Sequence, residues 1–128
     1  MKNIQLQLYD LFRLTHDKRN MSKEQLCKLY QDLITEEYCE FITEKDITNK
    51  QKELCDLLWV AIQYANAQGW NLDKSMSLLV QEYKSKFLDE NGLINPIYRE
   101  DGKLLKNKGF KKLDLSELAK CKLQGDYL

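Results

Sequence analysis

Three observations predict an all-α fold. Helix breakers are nearly absent from the first two thirds of the chain, apolar residues recur at helical spacing, and capping residues sit at the segment ends. The 128 residues hold one Pro and five Gly, and all of these except Gly69 lie beyond residue 90. This length suits a single domain spanning 1–128. The expected architecture is a bundle of about four main helices, assembled as an oligomer, with an irregular basic C-terminal segment over 91–128.

The first helix is marked by Ile4, Leu8, Leu11 and Phe12, spaced i, i+4, i+7, i+8. The polar stretch from His16 to Met21 reads as a connection. Ser22 and Gln25 then form a capping-box pair, in which each side chain satisfies a free backbone N–H of the other residue. Leu26, Tyr30 and Leu33 continue this second helix. A third is expected from about Asn49 to Gly69, a natural left-handed terminator. A fourth starts with Asn71 or Asp73 as cap. It carries Met76, Leu79, Val80, Tyr83 and Phe87 on one face and stops at Asp89-Glu90-Asn91-Gly92. Glu100-Asp101-Gly102 reads as a tight turn between two short extended pieces. A short final helix is expected over Ser116 to Leu123.

Composition excludes several classes. The chain is 43% hydrophobic and 31% charged, with 20 basic and 20 acidic residues, as in a soluble globular protein. No apolar run approaches the roughly 20 residues that cross a bilayer, so no membrane partner is expected. The stretch Met1 to Asp10 lacks the apolar centre of a secretory signal, which points to the cytoplasm. Cys27, Cys39, Cys55 and Cys121 form no C-x-x-C pair and His16 is the only histidine, so zinc-ligand spacing is absent. The four thiols are expected to be reduced and mostly buried.

The acids carry the chemistry. The stripe Leu26, Tyr30, Leu33 continues at steps of four and three into Glu37 and Glu40, so a core-facing stripe turns acidic without changing face. Glu36 borders it. In the third helix Leu54 to Ile62 is apolar almost all round apart from Asp56, with Glu53 one turn earlier. Such a helix is normally buried between neighbours or in a dimer. A buried carboxylate must pair, protonate or bind a metal, and several converging would repel unless cations lie between them. A solvated face is the plainer reading, with Lys45, Lys50 and Lys52 as partners, but it leaves Asp56 unexplained. Oxygen-only ligands indicate Mg²⁺, or alternatively Mn²⁺. Without Glu-x-x-His pairs, a di-iron bundle is disfavoured.

The segment after the fourth helix is cationic: Lys84 and Lys86, then Arg99, Lys103, Lys106, Lys108, Lys111 and Lys112. Carboxylates plus Lys and Arg read as metal plus polyphosphate. A solvated loop or a nucleic-acid patch is the alternative for this tail alone. Because Tyr98 and Phe110 form no base-stacking array, nucleic acid is not the expected partner.

Glu36-Glu37-Tyr38-Cys39-Glu40 matches E-E-x-x-E, and Glu53-Leu54-Cys55-Asp56, twelve residues on, matches E-x-x-D. In this order the pair resembles the signature of the all-α nucleotide pyrophosphohydrolases. The MazG-like and phosphoribosyl-ATP pyrophosphohydrolase-like members are most similar, sharing Ser85-Lys86 and the stretch Pro96 to Lys106. The resemblance spans about Ser22 to Leu115. It implies Mg²⁺-dependent hydrolysis of a nucleoside triphosphate to a monophosphate and pyrophosphate, by a homodimer or homotetramer. It implies Glu37, Glu40, Glu53 and Asp56 as metal ligands, and Glu36 as the group that orients or deprotonates water or supports a ligand. Lys86, Arg99, Lys103 and Lys106 are implied as phosphate contacts. Tyr83-Lys84 departs from the Asn-Met often found before the Ser-Lys pair, which leaves nucleotide choice open. The rival readings are a non-catalytic helical interaction protein and a nucleic-acid-binding module using the basic tail.

Overall fold

The computed structural model describes residues 3–16 and 19–123. Residues 1 and 2 of the N-terminal stretch, and residues 17 and 18 of the expected polar connection, lie outside them. The described chain is mostly helical, with α1 (Ile4–His16), α2 (Lys23–Thr43), α3 (Ile47–Gln68), α4 (Leu72–Ser85) and α5 (Leu115–Ala119). Two short strands, β1 (Ile97–Tyr98) and β2 (Leu104–Leu105), complete it. It divides into two compact units. One holds the described residues up to Leu72 together with Lys122 and Leu123, and the other holds Asp73–Cys121.

In the first unit the caps set the helix limits. Ser22 and Gln25 make the full capping box at the start of α2. Asp46 accepts from the Asn49 N–H at 2.9 Å and caps α3, which therefore begins before the expected Asn49. Gly69 ends α3 at φ 78°, as expected of a left-handed terminator. Glu44, Lys45 and Asp46 alone join α2 to α3, so the two helices form an antiparallel hairpin. Tyr9, Phe12, Leu26, Tyr30 and Leu123 make the core, and Leu6, Leu33, Tyr64 and Ala67 pack on it. Phe12 lies with ring centroids 5.8 Å from Tyr9 and 6.2 Å from Tyr30.

A buried amide chain ties α1 to the end of α3. Gln5 Nε2 donates to Asn66 Oδ1 at 3.0 Å and to the Trp70 carbonyl at 2.7 Å, and Gln5 Oε1 accepts from the Leu72 N–H at 2.8 Å. Asn66 Nδ2 in turn donates to Gln63 Oε1 at 2.9 Å. The Leu123 N–H donates to the Gly69 carbonyl at 2.9 Å, which carries residues 122 and 123 out of the helix expected to reach Leu123.

The second unit is organised by Ser85, which is buried. Its Oγ donates to the Glu82 carbonyl at 2.7 Å and accepts from the Lys111 N–H at 2.9 Å. The expected fourth helix stops here, short of Phe87. The next N–H groups bond three residues back, and the Phe87 carbonyl accepts from Asn95 at 2.6 Å. Gly109 approaches this turn closely: a Cβ on it would lie 2.5 Å from the Asp89 carbonyl oxygen. β1 and β2 pair antiparallel through Ile97↔Leu105 and Tyr98↔Leu104, with Gly102 at φ 92° in the expected turn.

One expectation about burial needs correction. Cys39 and Cys55 are exposed, because both lie on the outer sides of the hairpin helices; Cys121 alone is fully buried. Within the single chain Val60 and Ala65 of α3 are buried, whereas Leu54, Leu58 and Trp59 are exposed, as are Tyr38 and Ile42 of α2. On α4, Met76, Val80 and Tyr83 are also exposed.

The Gln5 junction yields a stability prediction. Replacing Gln5 with Met keeps the volume but leaves Asn66 Oδ1, the Trp70 carbonyl and the Leu72 N–H without this partner. The loss expected is about 2–4 kcal/mol, from buried polar groups left unpaired. Urea unfolding of Gln5→Met measures it, and wild-type stability in the variant would contradict this role.

Candidate metal centre

α2 places Glu37 and Glu40 three residues apart on one face, and α3 presents Glu53 toward them across the hairpin. One carboxylate oxygen from each of Glu37, Glu40 and Glu53 lies within 4.8 Å of the other two. Glu37 Oε2 and Glu53 Oε2 are sealed from solvent with no hydrogen-bond donor. Both carboxyls are pushed above the ordinary glutamate value of 4.5. For Glu37 the cause is burial first, then the adjoining Glu40 carboxyl, then the charges of Asp56 and Glu53. For Glu53 it is burial, then Glu40, with Lys52 opposing and Asp56 adding.

Asp56, half-buried, stands outside the group of three. Its Oδ2 lies 2.8 Å from Lys52 Nζ, one turn earlier on α3. Glu36 is exposed on α2. Of the three lysines that a solvated reading would pair with these acids, Lys50 instead lies 4.8 Å from the centre of the Phe41 ring and reaches the Glu44 carbonyl. Among the described residues only Lys52 of the three forms an ion pair. Its i, i+4 spacing to Asp56 was visible in the sequence; its position beside the glutamates required the hairpin.

The expected phosphate contacts belong to the second unit, and three of the four are engaged there. The Arg99 guanidinium makes two bonds to the Asp101 carboxylate and holds that carboxyl below its ordinary value. Lys86 Nζ lies 4.1 Å from the centre of the Tyr83 ring, and Lys106 Nζ 4.7 Å from that of Phe110. Lys103 is exposed. A cation over a ring keeps its charge and can still meet an anion, whereas Arg99 is already neutralised in part.

The donor set suits a hard divalent ion. Three carboxylates whose mutual repulsion Lys52 relieves only in part, two of them with an oxygen denied both water and a donor, gain from a cation among them. Oxygen ligands alone select Mg²⁺ or Mn²⁺ rather than zinc. Compared with protein-family models, curated proteins and solved structures, the chain matches none.

The raised carboxyls give a signed pH dependence. The folded state binds protons more tightly at Glu37 and Glu53 than the unfolded chain does. Metal-free stability from this site is therefore highest at low pH, and it is lost as pH rises from the ordinary 4.5 through the raised folded values. Glu40→Gln removes the charge common to both, so it should flatten this fall and raise metal-free stability at pH 7. Thermal unfolding in chelator across pH 4–8 compares the two proteins. A variant less stable than wild type at pH 7 would contradict the electrostatic account.

Proposed function

We propose that this chain is a Mg²⁺-dependent nucleoside triphosphate pyrophosphohydrolase that releases a nucleoside monophosphate and pyrophosphate. The observation that carries the reading is the set of three glutamate oxygens within 4.8 Å, two of the carboxylates each keeping a sealed oxygen without a donor. The sequence resemblance supports the choice of substrate.

In this reading Glu37, Glu40 and Glu53 hold the ion, with Asp56 at the edge of the site. When bound, Mg²⁺ supplies charge that neutralises the triphosphate and acidifies water. Glu36, exposed on the adjoining turn of α2, orients the attacking water or takes its proton. Water adds at phosphorus of the α–β linkage, that P–O bond breaks, and pyrophosphate leaves with the electron pair. Lys86, Lys103, Lys106 and Arg99 are assigned to phosphate by the resemblance. For Arg99 this entails exchanging Asp101 for substrate.

The exposed apolar residues Tyr38, Ile42, Leu54, Leu58 and Trp59 suit a homodimer or homotetramer that covers the hairpin. The resemblance gives the same assembly, and a cytoplasmic enzyme of nucleotide metabolism is the corresponding setting.

Pyrophosphate release from a panel of NTPs and dNTPs, with and without Mg²⁺, tests the activity. At least one nucleotide should turn over only with the metal, and Glu53→Gln should lower kcat by about 10²-fold or more, as loss of a preorganised charge partner does. No release from any member of the panel would overturn the reading.

The basic residues are tested separately. Lys103→Ala/Lys106→Ala should lower kcat/KM by ~10²-fold while Mn²⁺ still binds in the absence of nucleotide. Unchanged hydrolysis, with loss of RNA or DNA affinity instead, would favour a nucleic-acid role for this segment.

A further inference from the structure

A cavity of about 470 Å³ lies wholly within the second unit, in the size range that encloses small-molecule ligands. Its walls follow from the local sequence. Leu78, Gln81, Glu82 and Ser85 recur at i, i+3, i+4, i+7 and so share one face of α4. Two bonds lay residues 111–113 along that face. The Lys111 N–H donates to Ser85 Oγ at 2.9 Å, and the Leu113 N–H donates to Glu82 Oε2 at 2.6 Å. The apolar lining is Leu78, Leu88 and Leu113, each half-buried, and no aromatic ring lines the cavity.

The charged lining is three acids and three lysines, and the two sets are treated differently. Every acid is engaged within the chain. Glu82 holds the Leu113 N–H. Asp114 Oδ1 accepts from the Ser116 N–H at 2.9 Å and from its hydroxyl at 2.7 Å. Glu117 pairs with Lys120 at 3.2 Å. Lys84, Lys111 and Lys112 are exposed, and none forms an ion pair among the described residues. The last turn of a helix favours a cation, which accounts for Lys84 alone. Lys111 and Lys112 belong to no helix.

We propose that this cavity binds a small amphipathic anion, an aliphatic chain with a carboxylate head, the chain on the three leucines and the head among the three lysines. Leucines give apolar contact without the flat stacking surface that a nucleobase or an aromatic acid would use. A charge-assisted bond from an unpaired ammonium fixes the head. The neighbouring acids compete weakly for those ammoniums, because each already accepts a donor from the chain. The assignment uses none of the glutamates of α2 and α3, so it stands or falls separately from the hydrolase reading.

Isothermal titration of the full chain with decanoate tests this, with decanol as the uncharged control. Wild type should bind one decanoate per chain saturably, and decanol more weakly. Lys111→Met/Lys112→Met should weaken decanoate by about tenfold or more, as loss of hydrogen bonds to a charged group does. Lys111→Arg/Lys112→Arg, which keeps the charge, should retain binding. Lys108→Met removes an exposed lysine of the same segment that does not line the cavity, and it should bind as wild type does. Because these lysines are exposed, circular dichroism should show every variant folded. No saturable binding at millimolar decanoate would overturn the proposal. Equal weakening by Lys108→Met, or decanol bound as tightly as decanoate, would overturn it too.

Discussion

Repulsion among three glutamates held by two packed helices is the constraint on which this structure turns. Glu37 and Glu40 lie on α2 and Glu53 on α3, and a three-residue connection through Asp46 joins the two helices. In water such carboxylates would separate and hydrate. Here one oxygen each of Glu37 and Glu53 is sealed, so water relieves their charge less than at the exposed Glu40, and protons or a cation relieve it better. The fold tolerates this because its stabilising contacts lie elsewhere along the same hairpin: the Tyr9, Phe12, Leu26 and Tyr30 cluster and the Gln5–Asn66 junction anchor the opposite end. Apolar burial in the core thereby offsets an electrostatic cost at the acidic cluster.

The two units differ in how their charges are treated. In the first, Lys52 is the cation that acts on Glu37 and Glu53 among the described residues. In the second, the cations are arranged individually, Arg99 on Asp101 and Lys86 and Lys106 over aromatic rings. A lysine over an aromatic ring keeps its charge. Ser85 closes this unit by linking the end of α4 to Lys111.

Much of this was legible from the sequence, for physical reasons that can be named. The capping box of Ser22 and Gln25 and the terminator Gly69 are local chemistry, so α2 and the end of α3 were placed closely. The continuation of an apolar stripe into Glu37 and Glu40 identified acids that the fold turns toward Glu53. Asp56 was assigned with them through the E-x-x-D resemblance; in the structure its carboxylate lies 2.8 Å from Lys52, one turn away. The early stop of α4 depended on Asn95 and Gly109 returning to residues 87 and 88, which are non-local contacts. Helix α3 was read from its composition as buried between helices or in a dimer; the single chain covers Val60 and Ala65 and leaves Leu54, Leu58 and Trp59 outward, and composition does not distinguish a neighbouring helix from a neighbouring subunit.

The central claim is that Glu37, Glu40 and Glu53 together hold one divalent ion. Its most direct test is a crystal grown with millimolar Mn²⁺, with diffraction recorded at an energy where manganese scatters anomalously. The account predicts an anomalous peak at oxygen-ligand distance, about 2.0–2.3 Å, from carboxylates of all three glutamates, as hard divalent ions bind oxygen. A peak contacting none of the three, or no peak in crystals that diffract well, would contradict it.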